Sequence, residues 1–134
     1  MSTKIKNGLS YKKNGWTYIS IKGKPKERGY AYGFLCANDF KDIQKMLHFL
    51  MMESYGMEWD YFIKEIANDF KEMTKRDFIE LYEEMEGIAD GCSANGCKTS
   101  IDEIIAWNFY CSIPYWYLSK SDSRAGKEGG SPDK

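Results

Sequence analysis

The sequence predicts an α+β fold that is mostly helical and begins with a β-hairpin. The dipeptide Asn14-Gly15 separates two runs, the second rich in β-branched and aromatic residues, and Asn-Gly is the strongest short signal for a hairpin turn. After Pro25, apolar residues recur at spacings of three, four and seven, which is the period of amphipathic helices. No internal repeat is visible.

The hairpin is expected to join residues 9–13 to residues 16–21, and Gly23 with Pro25 ends the second strand. A two-stranded hairpin on its own is marginally stable in water. A strand as apolar as residues 16–21 also leaves an exposed sheet edge. We therefore expect this chain to be part of a larger folded unit.

Four helices are expected after the hairpin. The first covers residues 28–54, with a kink near Gly33 or Asn38, and Gly56 ends it. The second covers residues 58–73 and has the most regular amphipathic pattern in the chain, with one face that should pack on a core.

The third helix is expected over residues 75–89, with Thr74 as its N-cap. The fourth begins after Ser100, and Glu103 three residues later completes the spacing of a capping box. It continues into an aromatic run until Pro114 ends or kinks it, because proline lacks the N–H that a helix interior needs.

Composition limits the class of protein. The chain has 134 residues, which fits one domain, and a net charge of −1 with Lys and Arg spread along it. This spread argues against nucleic acid as a partner. There is no apolar run of 18 residues, so no membrane span is predicted. The amino terminus shows no signal core, so a cytoplasmic location is expected.

Residues 119–134 are polar and contain no aliphatic side chain larger than that of Ala125. They follow an aromatic segment, and such a change of composition marks the edge of a folded unit. We divide the chain into a folded part, residues 1–118, and a flexible polar linker, residues 119–134. One interpretation is that the chain is cut from a larger protein at Lys134; the other is an ordinary frayed terminus.

A self-contained active site is not apparent. His48 is the single histidine and has no second ligand at metal-binding spacing, so no metal or other cofactor is expected. The four cysteines are expected to be free thiols, although Cys92 and Cys97 could close a small loop in an oxidising compartment. A cysteine nucleophile needs an activating base, and none is indicated.

Two glycine-rich stretches, residues 23–33 and 83–91, stand apart from generic packing. In the first, the pair Gly29 and Gly33 lacks the Lys-Ser/Thr of a phosphate loop, so close packing of a helix on a strand is the simpler interpretation. The second has two glycines four residues apart at an expected helix end, which is more than one C-cap requires.

Together these stretches resemble the amino-terminal part of the acyltransferase family typified by acyl-coenzyme A:isopenicillin N acyltransferase, and more distantly the phospholipase B-like proteins. In that family a strand precedes Gly-x-Pro-x-x-x-Gly-x-x-x-Gly, a long helix, Glu-x-x-Gly-Ile-Ala-x-Gly and a helix with an Asn. The resemblance covers roughly residues 16–112. The residues that carry it, with Arg28 inside the first motif, are Gly23, Pro25, Gly29, Gly33, Glu84, Gly87, Ile88, Ala89, Gly91 and Asn108.

The resemblance implies an N-terminal-nucleophile hydrolase with a four-layer αββα sandwich. Members cut themselves before a cysteine, which frees a short α chain and a β chain that begins with the nucleophile. It implies that this chain is the α chain, with Lys134 at the processing site and no catalytic residue of its own. The implied reaction is amide or ester cleavage, or acyl transfer, on a small molecule.

The expected substrate-binding residues are Trp107, Tyr110 and Trp116, which follow the last helix toward the cleavage point. The expected partner is a β chain from the same precursor. The alternative from another class is a non-catalytic helical module that binds a partner through its aromatic carboxyl-terminal segment. A relative of the family that has lost catalysis is a third possibility.

Overall fold

A computed structural model describes residues 1–128 of the chain, and Lys134 lies outside this part. An antiparallel sheet of three strands, in the order β1-β2-β3, comes first. The strands are β1 (Ser2–Ile5), β2 (Gly8–Lys13) and β3 (Trp16–Ile21). Most of the remaining described residues are helical. The α+β class and the hairpin are therefore confirmed.

Tight turns set the register of the sheet. Asn14 and Gly15 both have positive φ, at 54° and 80°, as the expected hairpin turn requires. A second turn at Asn7, with φ 65°, joins β1 to β2. The sequence prediction missed β1, because it is only four residues long and mostly polar, so its pattern does not stand out from a loop.

The helices are α1 (Pro25–Leu35), α2 (Ala37–Tyr55), α3 (Trp59–Asp77), α4 (Ile79–Ala94), α5 (Ile101–Asn108) and α6 (Ile113–Glu128), with a 3₁₀ turn at Tyr110–Ser112. The expected first helix is two helices, which meet at Cys36. The chain turns there because α1 packs between the sheet and α4, whereas α2 packs against α3 and α4.

Several helix boundaries differ from the expected ones. α3 continues to Asp77 instead of ending at residue 73, and α4 spans Ile79–Ala94 instead of residues 75–89. Thr74 is not an N-cap, because it lies inside α3, where its hydroxyl donates to the carbonyl of Phe70 over 2.8 Å. This is the alternative hydrogen bond open to a threonine within a helix. Pro114 does not end a helix but lies in the first turn of α6, a position where proline needs no hydrogen-bond partner.

The end of the described chain also differs from expectation. Residues 119–128 continue α6, although the sequence predicts a linker from residue 119. Side chains attach this part to α3, since Lys120 Nζ donates to Asp69 and Arg124 donates to the Tyr61 hydroxyl over 3.2 Å. Residues 129–134 lie outside the described part of the chain.

The main core lies among α2, α3, α4 and α5, and α1 separates it from the sheet. Trp59, Phe62 and Ile105 are fully buried in this core. On the other side of α1, the inner face of the sheet contacts α1 at Gly8, which lies against Ala31 and Leu35. This arrangement places α1 as the central element of the described fold.

Candidate functional site

The two glycine motifs contact each other. Gly29 and Gly33 of α1 face the backbone of α4, and Gly87 and Gly91 of α4 face the backbone of α1. A Cβ added to any of the four would overlap a backbone carbonyl of the other helix. The helices therefore approach at backbone distance, which only glycine allows. The expected packing of Gly29 and Gly33 on a strand is wrong, because both residues face helix α4. The second pair lies inside α4 and not at a helix end, so it has a packing role and no capping role.

The pairing shows that α1 and α4 run in the same direction. Gly87 lies against Lys26 and Gly91 lies against Tyr30, so each step of four along one helix matches a step of four along the other. Two parallel helices this close also bring together the side chains that flank the glycines.

Ion pairs flank the glycine contact. Arg28 Nε lies 2.7 Å from Glu84 Oε2, and Lys26 Nζ lies 2.6 Å from Glu86 Oε1. The hydrogen bond and the charge of Glu86 raise the pKa of the exposed Lys26. Lys26 Nζ also lies 3.7 Å from Asp90 Oδ2, one turn farther along α4, so its charge is shared between two carboxylates of that helix.

Hydrogen bonds also join α1 and α4 near their carboxyl-terminal ends. Cys92 Sγ donates to the carbonyl of Gly33 over 3.3 Å, and Asn95 Nδ2 donates to the carbonyl of Phe34 over 2.8 Å. The second bond satisfies a carbonyl near the end of α1, where helical partners are lacking. The sequence offered no signal for either contact.

The remaining motif residues lie around this helix pair. Gly23 has φ 108° in the turn between β3 and α1, and Pro25 is the first residue of α1. Asn108 is the last residue of α5, where Nδ2 donates to the carbonyl of Ile104 and lies 3.4 Å from Met85 Sδ of α4. The motif residues thus hold α1 in place and contact α4.

The three expected substrate-binding residues do not form one cluster. The rings of Trp107 and Tyr110 lie 5.3 Å apart. Trp116 lies on α6, where its Nε1 donates to Asp69 Oδ2 over 2.8 Å. Trp116 alone of the three lines a mostly apolar cavity of about 400 Å³ beside α3.

That cavity was not predicted, because its wall comes from three separate parts of the chain. Phe70 of α3 stacks on Phe109 with ring centroids 4.2 Å apart, and both line the cavity. The sequence pattern placed Phe70 on a core face, and it contains no signal that Phe109 would stack on it. The other lining residues are Ile66, Ser112, Ile113 and Tyr115.

The buried thiols are poor nucleophiles. Burial raises the pKa of Cys36 to about 11 and that of Cys92 to about 12. Burial also raises the pKa of Cys97, which donates to Gln44 Oε1 over 3.5 Å. At neutral pH these thiols stay protonated, whereas attack requires the thiolate. The fourth cysteine, Cys111, is exposed, and all four are free as expected.

A polar cluster around Glu103 was missed. Its carboxylate accepts hydrogen bonds from Trp59 Nε1 over 3.1 Å, from the Thr99 hydroxyl over 2.6 Å and from Gln44 Nε2. Ser100 caps α5 by accepting from Glu103 N–H, as expected. The Glu103 side chain does not complete the capping box, because it bonds instead to α2, α3 and the preceding loop.

Exposed aromatic residues cover the outer face of the sheet. Tyr11 and Tyr18 are paired in register and stack with ring centroids 5.1 Å apart and planes 8° apart. Trp16 is the next residue of β3 on that face and is 71% exposed. An aromatic surface of this kind is typical of a contact site.

Within residues 1–128, no three His, Cys, Asp or Glu side chains are arranged to hold a metal ion. Among the helices of the same part, none has both the length and the hydropathy needed to cross a bilayer. The chain matches no protein-family model, no curated protein and no solved structure.

Proposed function

We propose that this chain is the α-chain part of a self-processing cysteine N-terminal-nucleophile hydrolase that cleaves an amide or ester bond or transfers the acyl group. The observation that carries the proposal is the contact between the two motifs. Residues 29–33 and 84–91 are more than 50 positions apart in sequence, yet the glycines that carry the resemblance meet at backbone distance. This convergence favours one shared structural plan over two chance matches.

In the proposed reaction the nucleophile belongs to the β chain. A cysteine at a chain amino terminus can use its own α-amino group as base, because that group has a pKa of about 8. The thiolate attacks the substrate carbonyl, the leaving amine or alcohol takes the proton, and water or a second acceptor releases the acyl group. Backbone N–H groups stabilise the oxyanion.

The proposed role of the described residues is to shape the site and support the β chain. The apolar cavity beside α3 suits an acyl group, since ligand pockets are concave and mostly apolar with few polar groups. Ser112 and Tyr115 are the two hydroxyl residues among the lining, and Trp116 forms part of the wall. We assign substrate contact to Trp116, and a packing role to Trp107 and Tyr110.

The four-layer αββα sandwich is part of the proposal. The three described strands would supply one edge of a sheet, and α1 with α4 would form the helical layer on its inner face. The exposed aromatic face of the sheet would then pack against strands of the β chain. On this proposal residues 1–134 alone lack part of their core and unfold without a sharp thermal transition.

The test is to purify the complete gene product and measure intact mass and amide hydrolysis. We expect two chains, a boundary after Lys134 and a second chain that begins with cysteine. Changing that cysteine to alanine should leave one uncut, inactive precursor. Changing Lys134→Ala should leave cleavage largely intact, whereas a trypsin-like protease would require the lysine. An alanine precursor that still appears as two chains would contradict the proposal.

The alternative function is a non-catalytic helical module that binds a partner protein. It is favoured by exposed apolar residues on two helices, Phe49 of α2 and Tyr115 of α6, which are 63% and 79% exposed. A cooperative thermal transition of residues 1–134 alone, with no hydrolase activity in the complete gene product, would support this alternative over the first proposal.

A further inference from the structure

The outer strand of the sheet has the properties of an acceptor for another strand. β3 lies at the sheet edge and pairs with β2 along its whole length, from Trp16 to Ile21, without a bulge. In an antiparallel pair, every second residue directs its N–H and C=O away from the neighbouring strand. Because Asn14 and Gly15 form a two-residue turn, the outward-directed residues of β3 are Thr17, Ile19 and Ile21.

β3 has none of the features that usually protect an edge. Proteins blunt exposed edges with charged residues, prolines, bulges or short strands. The six residues of β3 are Trp, Thr, Tyr, Ile, Ser and Ile, so the strand has no charge and no proline. The other edge strand, β1, has four residues and carries Lys4. β1 therefore has features of an edge that stays unpaired, whereas β3 has the features of an edge that pairs with another strand.

The charge around the sheet indicates what kind of strand binds. Residues 1–26 contain seven lysines and no Asp or Glu, and the chain's 20 acidic residues all follow. Lys13 lies beside Trp16 in the register, and Lys12 lies beside Thr17. A strand added beside β3 lies two strand spacings, about 10 Å, from these lysines. This distance is close to the Debye length at physiological salt, so the lysines attract acidic side chains through the local field and not by direct pairing.

We propose that β3 is the docking edge for an extended segment of a partner polypeptide that is rich in β-branched and acidic residues. The segment adds a fourth strand through main-chain hydrogen bonds, which is a common mode of peptide recognition. The assignment of the segment to a β chain rests on the proposed function. The proposal that β3 accepts a strand does not depend on the proposed function.

Two other occupants fit less well. A second copy paired β3 to β3 would bring two lysine-rich hairpins together, and like charges oppose such a pair. A single-stranded nucleic acid would use the lysines and the aromatic rings, but it would leave the backbone groups of the edge unpaired. In addition, Tyr11 and Tyr18 already stack on each other, so the ring faces that they share are not open to a base.

The first test uses isotope-labelled residues 1–134 and an eight-residue amidated peptide that alternates Glu and Val. We expect hydrogen exchange of the Thr17, Ile19 and Ile21 amides to slow by about fivefold or more at saturating peptide, with no change on β1. A peptide with Lys in place of Glu should bind at least about tenfold more weakly, because it repels the lysines.

A matched pair of variants locates the contact. Thr17→Pro removes one outward N–H while leaving the ladder to β2, since proline is tolerated on edges. It should abolish the slowed exchange, whereas Thr17→Val should retain it. Equal binding of the Lys peptide, protection of β1 instead of β3, tighter binding of oligothymidylate, or self-association that Thr17→Pro removes would each overturn the proposal.

A second measurement applies if residues 1–134 do not fold alone. A photo-crosslinking benzoylphenylalanine replaces Thr17 in the complete, purified gene product, and mass spectrometry identifies the attached segment. We expect an acidic, β-branched segment of a polypeptide other than residues 1–134. Attachment to a second copy of this chain, or no attachment, would overturn the proposal that β3 docks a partner segment. Neither result depends on self-cleavage, which the cysteine variant tests separately.

Discussion

Arg28 and Glu84 form an ion pair of 2.7 Å between α1 and α4, directly beside the point where Gly29 contacts the backbone of Glu84. The guanidinium and the carboxylate are each about 30% exposed. The same residue, Glu84, thus contributes its carbonyl to close helix packing and its carboxylate to an ion pair. This double contact fixes the relative position of two segments that are far apart in sequence.

Removal of this ion pair should destabilise the helix pair moderately. We expect Glu84→Gln to lower the free energy of unfolding by about 1 kcal/mol, because a pair that is mostly buried contributes more than a surface pair but remains partly screened. Urea unfolding of the purified, complete gene product measures this value. The control is Asp42→Asn, whose pair with Lys45 is 3.9 Å long and 81% exposed on both sides. An equal loss of unfolding free energy in both variants would contradict the stabilising role assigned to the pair of Arg28 and Glu84.

Gly29→Ala should cost far more than a typical substitution. The added methyl group would overlap the Glu84 carbonyl, so the helices must separate, and we expect a loss of about 3 kcal/mol or more. The control is Gly56→Ala, where φ is +63° and nothing lies within 4 Å. That variant should lose only about 1 kcal/mol, from backbone strain. Similar losses in the two variants would show that the close contact is not important.

One of the four thiols should react in the native protein at pH 8. Cys111 is exposed, whereas Cys36, Cys92 and Cys97 are buried and their raised pKa values keep them protonated. Titration with a disulfide reagent should therefore show one fast thiol, and four after denaturation. The variant Cys111→Ser should show no fast thiol, and a fast thiol in that variant would contradict the burial.

The same buried thiols should make the protein less stable in alkaline solution. Their folded pKa values are raised, so their contribution is complete below the ordinary cysteine pKa of about 8.5 and is lost as pH rises toward the folded values. For Cys36 that folded value is about 11. We expect the unfolding free energy of Cys36→Ala to fall less steeply than that of the wild type between those two limits. Parallel curves would contradict the prediction.

Asp69 should make the contact between α3 and α6 sensitive to acid. Burial alone would raise its pKa, but hydrogen bonds from Trp116 and Lys120 outweigh this and lower the pKa below its ordinary value of 3.8. A lowered pKa contributes stability above the ordinary value, and the contribution is lost as pH falls through the folded one.

The measurement is the unfolding free energy of the wild type and of Asp69→Asn between pH 6 and pH 2. The wild type should lose up to about 1 kcal/mol more than the variant over this range, since the pair is partly exposed and screened. An identical acid profile for the two proteins would show that the Trp116 and Lys120 contacts contribute no pH-dependent stability.

Local signals predicted the elements whose cause is local. The Asn14-Gly15 turn needs positive φ at two adjacent residues, so the dipeptide itself specifies the hairpin. Ser100 specifies the start of α5 through its own hydroxyl. The strand β1 was missed because its four residues form a strand only by pairing with β2, which no local pattern records.

Helix boundaries depended on what each helix packs against. Thr74 is a good N-cap residue in isolation, yet it lies within α3 and bonds to Phe70. The helix continues there because its apolar face stays partly buried through Phe70 and Met73, and Thr74 itself is buried. Likewise, residues 119–128 have a linker composition, but the contact of Lys120 with Asp69 extends α6 along α3. Tertiary contacts therefore override propensity at both places.

The sequence by itself determined the hairpin and the helical periodicity, and it indicated close packing at Gly29 and Gly33 and more than a capping role for Gly87 and Gly91. Only the tertiary structure decided that the two glycine pairs face each other in parallel helices, and that Arg28 meets Glu84. The reason is physical. Turns, caps and periodicity arise from interactions over a few residues, whereas a helix crossing arises from mutual packing of surfaces that the chain brings together only on folding.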